Sequence, residues 1–264
     1  MSPISEHFAL AGEHANLTIS IPAGTVRIAE STDNSVSVTV EGKDLDKVEI
    51  TGVGDDITIA LRTEKEGGFR LFGGSNRLAV RVLAPAGSHA NIATGAADFF
   101  SEIELGSLRF KTGAGDAKLT SVRGDVDAKS ASGDLHAHAV MGSLKASLAS
   151  GDVHLHSVDG SVDVNTASGD LHVMHVHGDV NVKSASGDLV IGRWTGTGFS
   201  GKTVAGDVRL GVPKGTRADM NVRSLSGDIH MPSSGGSDVP EEERVMRRIG
   251  FNSVSGDLHL SVVD

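Results

Sequence analysis

Ser132-Gly133-Asp134-Leu135-His136-Ala137-His138-Ala139-Val140-Met141-Gly142-Ser143-Leu144-Lys145-Ala146-Ser147-Leu148-Ala149-Ser150-Gly151-Asp152 carries the pattern from which the fold can be read. A glycine, then Asp or Ser, then an apolar residue returns every nine residues, at Asp116, Asp125, Asp134, Ser143, Asp152, Ser161, Asp170, Asp179 and Asp188. The fuller phrase, Gly115-Asp116 and then Ser-Gly-Asp ending at Asp134, Asp152, Asp170 and Asp188, recurs at double that interval, 18 residues (134 minus 116). Self-similarity at a short fixed period marks a solenoid, in which each coil buries its apolar face against its neighbours.

Counted from the Asp or Ser as zero, apolar or side-chain-free residues fall at minus three, minus one, plus one and plus three: Ala131, Gly133, Leu135, Ala137, then Val140, Gly142, Leu144, Ala146. Alternation of period two marks a half-buried strand. Because nine is odd, the apolar set returns at the same offsets only if the chain turns a corner near plus four and plus five. Each unit is then a strand of about seven residues and a tight corner. Two units make an 18-residue coil, with Ala131, Ala149, Ala167 and Ala185 as one inward column and Val140, Val158 and Val176 as another on the opposite sheet. The alternative puts the corner at Ser-Gly-Asp itself, since glycine inside a strand often marks a bend.

The unit recurs more loosely outside this region. Three stretches read as strand, proline turn, strand, around Pro22-Ala23-Gly24, Pro85-Ala86-Gly87 and Pro213-Lys214-Gly215. Phe110-Lys111-Thr112-Gly113-Ala114-Gly115-Asp116 is echoed by Phe251-Asn252-Ser253-Val254-Ser255-Gly256-Asp257. The expectation is an all-β parallel β-solenoid, a β-helix or β-roll, right-handed by the general preference of parallel crossovers. It forms one domain over 1–264, with irregular coils over 1–110, regular repeats over 111–192, looser coils over 193–231, an insertion over 232–250 and a final strand over 251–264. A polar, glycine-containing loop is expected at 67–76. Pro240-Glu241-Glu242-Glu243 followed by Arg247-Arg248 reads as a short helix with acids first and bases last, as the helix dipole favours. The last strand, around Leu258, would leave an open edge, covered by the insertion or by a second chain.

The Ser-Gly-Asp repeats, the Pro-x-Gly turns and the closing Phe-x-Ser-Val-Ser-Gly-Asp phrase resemble the bacterial "putative adhesin" family, a domain-of-unknown-function group of β-strand repeat proteins. The likeness runs from about Leu17 to the C-terminus. It implies a β-solenoid and brings no catalytic residues with it.

With 24 basic against 34 acidic residues, a net charge of -10 and no Lys/Arg cluster, the chain lacks the footprint that a phosphate backbone requires, so nucleic acid is not an expected partner. There are no cysteines, hence neither disulfides nor thiolate metal sites. The first thirty residues hold no basic stretch followed by an apolar run, and nothing reaches membrane-spanning length, which reads as cytoplasmic, or as secreted or surface-bound if this is part of a longer chain.

One expected outward face is nearly uniform: Ser132, Asp134, His136; Ser150, Asp152, His154; Ser168, Asp170, His172. Aspartates stacked at about 4.8 Å repel by roughly 1 kcal/mol per pair in water, so the column needs donors beside it. Either the serines and aspartates satisfy turn backbones while the histidines fill a solvated face, or Asp134, His136, Asp152, His154, Asp170 and His172 form a ligand stripe. A Ser-His-Asp triad is disfavoured, because alternate side chains on a strand stand about 6 to 7 Å apart. A calcium roll needs Gly-Gly-x-Gly-x-Asp, and a sugar site needs aromatic platforms that this chain, with 3% aromatics, does not supply. The sequence therefore points to a non-enzymatic, adhesin-like binding or scaffolding module with no cofactor, no metal and no catalytic residues. Its expected partner is a protein or a second copy meeting it at a solenoid end. The alternative is a metal-dependent or carbohydrate-directed enzyme on a β-helix.

Overall fold

The computed structural model describes residues 3–61, 77–231 and 245–264. They are almost entirely β-strand, with one 3-10 turn at Leu45–Lys47, and the chain forms two compact units, Met1–His138 and Ala139–Asp264. Among the described residues no helix is long and apolar enough to cross a membrane. The loop expected at 67–76 and residues 232–244 of the expected insertion lie outside the described residues.

The first unit carries β1 (Ile4–Ala9), β2 (Asn16–Glu30), β3 (Ser35–Gly42), β4 (Val48–Val53), β5 (Asp56–Leu61), β6 (Arg77–Ala84), β7 (His89–Leu105), β8 (Ser107–Thr112), β9 (Ala117–Val122) and β10 (Val126–Ser132), and β11 (Leu135–Val140) begins in it. Parallel pairing dominates. β7 lies along β2, with Leu17 opposite Ala90 and Ile28 opposite Ser101, and its two halves pair onward with β8 and β9. Of the three proline turns, those at Pro85 and Pro213 do separate strands, whereas β2 runs unbroken through Pro22 and Gly24. The expectation of uniformly parallel coils is corrected at this end: β1 with β3, β3 with β6 and β4 with β5 are antiparallel. Chain length explains the last pair. Only Gly54 and Asp55 separate β4 from β5, and a parallel crossover takes a dozen or more residues.

The second unit carries β12 (Leu144–Ser150), β13 (Val153–Val158), β14 (Val162–Ser168), β15 (Leu171–Val176), β16 (Val180–Ser186), β17 (Leu189–Trp194), β18 (Gly198–Ala205), β19 (Val208–Pro213), β20 (Thr216–Ser226), β21 (Ile229–His230), β22 (Val245–Ser255) and β23 (Leu258–Val263). Leu144 lies opposite Val162 and Val162 opposite Val180, a step of 18 residues (162 minus 144). The odd-numbered strands step in the same way, Val153 to Leu171 to Leu189. After that the spatial order leaves the chain order. β22 lies between β18 and β20, and β23 lies between β19 and β21. The last strand is therefore paired with β19 along its length and with β21 at Leu258 and His259, which corrects the expectation that it forms the outermost edge. Val245–Ser255 is extended, so Arg247 and Arg248 end no helix.

The corner also differs from its expected place. Strands begin directly after each Gly-Asp, so the turn lies at the Gly-Asp itself, which is the alternative of the two corner positions. At Gly169, φ is +149° and a Cβ would sit 2.1 Å from the Gly151 carbonyl oxygen, so only glycine fits between the stacked coils. With the corner there, inward positions become plus one, plus three and plus six on one strand, as in Leu171, Val173 and Val176, and plus one and plus three on the next, as in Val162 and Val164. The Val140, Val158, Val176 set is buried as expected. The alanine set is not: Ala131, Ala149, Ala167 and Ala185 are exposed, because they precede the turn, where the chain has already left the core.

Candidate ligand face along the Gly-Asp ladder

Each ladder aspartate lies at the mouth of a strand, where the backbone N–H groups of successive coils line up. In the first unit Asp134 N–H donates to Asp116 Oδ1 at 3.0 Å and Asp116 N–H to Asp98 Oδ1 at 3.2 Å. In the second unit Asp170 donates to Asp152 at 2.8 Å, Asp188 to Asp170 at 2.8 Å and Asp207 to Asp188 at 2.9 Å. The chain order then breaks with the strand order, and Asp257 donates to Asp207 while Asp228 donates to Asp257. A hydrogen bond to a charged acceptor contributes about 1.5 to 3 kcal/mol net, which outweighs a repulsion of roughly 1 kcal/mol between stacked carboxylates. The aspartates thus act as turn acceptors for the next coil.

The other corner follows the same logic with different groups. Ser161 N–H donates to Ser143 Oγ at 3.2 Å. Asp179 Oδ1 accepts from Thr197 N–H at 3.0 Å, Gly198 N–H at 2.8 Å and Thr197 Oγ1 at 3.0 Å. These donors, the Gly198 and Thr197 amides foremost, hold the Asp179 carboxyl below the ordinary carboxylate range.

The six sequence-predicted residues fall on both units. Asp134 and His136 are half-buried in the first unit. In the second, His154 and His172 are direct register partners whose rings stack with centroids 6.0 Å apart and 13° between planes, while Asp152 and Asp170 are joined by the ladder hydrogen bond. Asp152 and Asp170 stand at the corners just before β13 and β15, two residues ahead of His154 and His172 within those strands. Beside the stacked pair, His156 meets His175 edge-on at 5.4 Å, and His177 Nδ1 lies 2.9 Å from Asp159 Oδ1. Among the described residues no group of three or more His, Asp or Glu side chains converges as a metal ion would require. A broad, shallow depression of about 520 Å³ lies on the other strand set, lined by Leu148, Asn165, Thr166, Lys183 and Ala185.

Two features are not legible in the sequence in the same way. Arg247 is buried, its guanidinium over the Trp194 ring at 5.7 Å and donating to the carbonyls of Thr195 and Gly196 and to Thr216 Oγ1. Burial lowers its pKa. No local signal marks it, because its partners lie far away in the sequence. The second is a row of hydroxyls four residues before the ladder aspartates, including Ser130, Thr166, Ser184, Ser224 and Ser253, whose buried oxygens lack hydrogen-bond partners among the described residues. Its repetition is visible in the sequence, but a corner at plus four and plus five gives these hydroxyls no reason to be buried.

The family model described as Toastrack DUF4097 matches residues 14–261. The structure of a protein described as a putative lipid binding protein from Parabacteroides distasonis is similar in fold, over 96% of this chain and 96% of that chain, at 15% sequence identity and a TM-score of 0.56. A protein described as a putative adhesin from Bacteroides fragilis aligns over 98% of this chain and 97% of its own, at 12% identity and a TM-score of 0.32. Another so described, from Parabacteroides distasonis, aligns over 97% of each chain, at 16% identity and a TM-score of 0.35. No curated protein matches the chain.

Proposed function

We propose, for a chain that belongs to the Toastrack DUF4097 family, that this β-solenoid is a non-enzymatic binding module whose contact surface is the outward histidine face of β13 and β15. The observation that carries the reading is the cluster of histidine rings on two neighbouring strands. The ladder carboxylates accept backbone N–H groups, and the imidazoles of His154 and His172, and of His156 and His175, meet ring to ring across β13 and β15. Such a paired cluster suits an extended protein segment laid across β13 and β15, which would meet imidazoles on both strands about 4.8 Å apart. An enzyme asks for a different layout, with nucleophile and base within hydrogen-bond reach in an enclosed cleft. The protein described as a putative lipid binding protein is named for binding, which agrees with the reading.

The test is affinity capture from native lysate with the full chain and with a His154→Ser/His172→Ser variant of equal melting temperature. A protein retained by the parent and lost from the variant is the expected result. Equal retention by both removes the histidine face from the proposal, and hydrolytic or lyase activity of the purified chain would overturn it in favour of an enzyme.

A further inference from the structure

We propose that the β20 edge of the second unit is a self-complementary surface that pairs antiparallel, about a two-fold axis, with β20 of a second copy of this chain. Among the described residues β20 pairs on one side only, with β22. Native proteins blunt such an edge with charged side chains, Pro or a bulge. β20 has neither Pro nor bulge: it reads Thr-Arg-Ala-Asp-Met-Asn-Val-Arg-Ser-Leu-Ser, keeps an unbroken register with β22 from Thr216 to Ser224, and its charged residues, Arg217, Asp219 and Arg223, carry both signs.

The core is also open here. Ile249 and Phe251 of β22 are 1% exposed, but their partners Met220 and Val222 on β20 are half-exposed, and Leu225 on the outward face is 84% exposed. Ile229 and Met231 add exposed apolar surface on the adjoining segment. A run of apolar groups at a strand edge favours association over solvation.

The sequence of β20 names the occupant. Its centre is Asn221, and antiparallel pairing about that residue sets each position opposite the one equally far on the other side. Asp219 then faces the second copy's Arg223 twice over, Met220 faces Val222, and Ala218 faces Ser224. Outward residues meet outward residues with opposite charge, and inward residues meet inward residues of apolar or small type. Alternation is kept across the junction, so the two cores run together. An isologous interface requires this kind of palindromic complementarity. The surface is separate from the histidine face and stands whichever molecule that face binds.

The chain has no cysteine, which makes the register directly testable. Facing residues of an antiparallel pair have Cα atoms about 4.5 to 5.5 Å apart, within disulfide range. Asn221→Cys in the full chain should form a disulfide-linked dimer under mild oxidation, whereas Ala167→Cys, exposed on β14, should not. By sedimentation, the parent should be a dimer, Asp219→Arg should raise the dissociation constant by about tenfold or more through like-charge contact, and Asp219→Arg/Arg223→Asp should restore it. Circular dichroism shows whether each variant is folded, and the double variant controls for any that is not. A monomeric parent, equal cross-linking of the two cysteine variants, or failure of the charge swap to restore the dimer would each overturn the proposal.

Discussion

Replacing Gly169 by alanine tests whether the coils are spaced by backbone lying on backbone at the Gly-Asp corner. Two costs follow from the structure. The φ of +149° lies where L side chains rarely go, a conformational cost of about 1 to 3 kcal/mol. The added Cβ would stand 2.1 Å from the Gly151 oxygen, 2.9 Å from its carbonyl carbon and 3.2 Å from its nitrogen. These are main-chain atoms within a parallel ladder, so no flexible side-chain end can yield, and overpacking of this kind costs about 1 to 3 kcal/mol more. The sum, about 2 to 6 kcal/mol, is a large share of the roughly 5 to 15 kcal/mol typical of a folded domain. Two controls separate the terms. At Gly54 φ is +61° and no atom lies within 4 Å of where an added methyl would stand, so Gly54→Ala should cost only the backbone term, about 1 to 2 kcal/mol. At Gly250 the nearest atom is 3.7 Å away and φ is unremarkable, so Gly250→Ala should stay within about 0.5 kcal/mol of the parent. Urea unfolding followed by circular dichroism ranks the three. If Gly169→Ala is no more destabilised than Gly54→Ala, contact between stacked main chains does not set the coil spacing.

Asp170→Ala should cost about 1 kcal/mol and speed hydrogen exchange at the Asp188 amide, which donates to Asp170 Oδ1 at 2.8 Å, while Asp170→Asn, which keeps an oxygen there, should cost less. Asp179 has a lowered carboxyl pKa in the fold, so its contribution is complete above the ordinary value of 3.8 and is lost as pH falls through the lower folded value; Asp179→Asn should flatten the stability profile in that acid window, seen by melting temperature against pH. Arg247→Ala should destabilise by about 2 to 4 kcal/mol and shift the emission of Trp194, the sole tryptophan, to the red, an unshifted spectrum counting against the buried contact. Deleting residues 151–168 should leave a folded chain, with Ser150 joined to Gly169 and Leu144 brought opposite Val180. Deleting only 151–159 would set Ala167 where Val158 belongs and turn Val176 and Trp194 outward, so it should melt well below the longer deletion in calorimetry.

The periodic part of the architecture is written in the sequence. A glycine before Asp or Ser every nine residues, with its full phrase every 18, names a solenoid, because stacked coils place like residues over like and only glycine tolerates the close approach at Gly169. The valine column of Val140, Val158 and Val176 is legible for the same reason, since a branched apolar residue repeated in phase has one place to go. Alanine carries no such message: Ala149 and Ala167 are small enough to fit inward or outward, and the turn at Gly-Asp is what makes them face solvent. The backbone role of the ladder aspartates follows from turn chemistry, whereas the stacking of His154 on His172 needs the strand register. The antiparallel strands of the first unit, the burial of Arg247 against Trp194, and the placing of β22 and β23 inside the stack come from the folded molecule and from nothing local. Each is a pairing between residues distant along the chain, and a repeat whose coils are nearly interchangeable holds no local preference for which coil follows which in space.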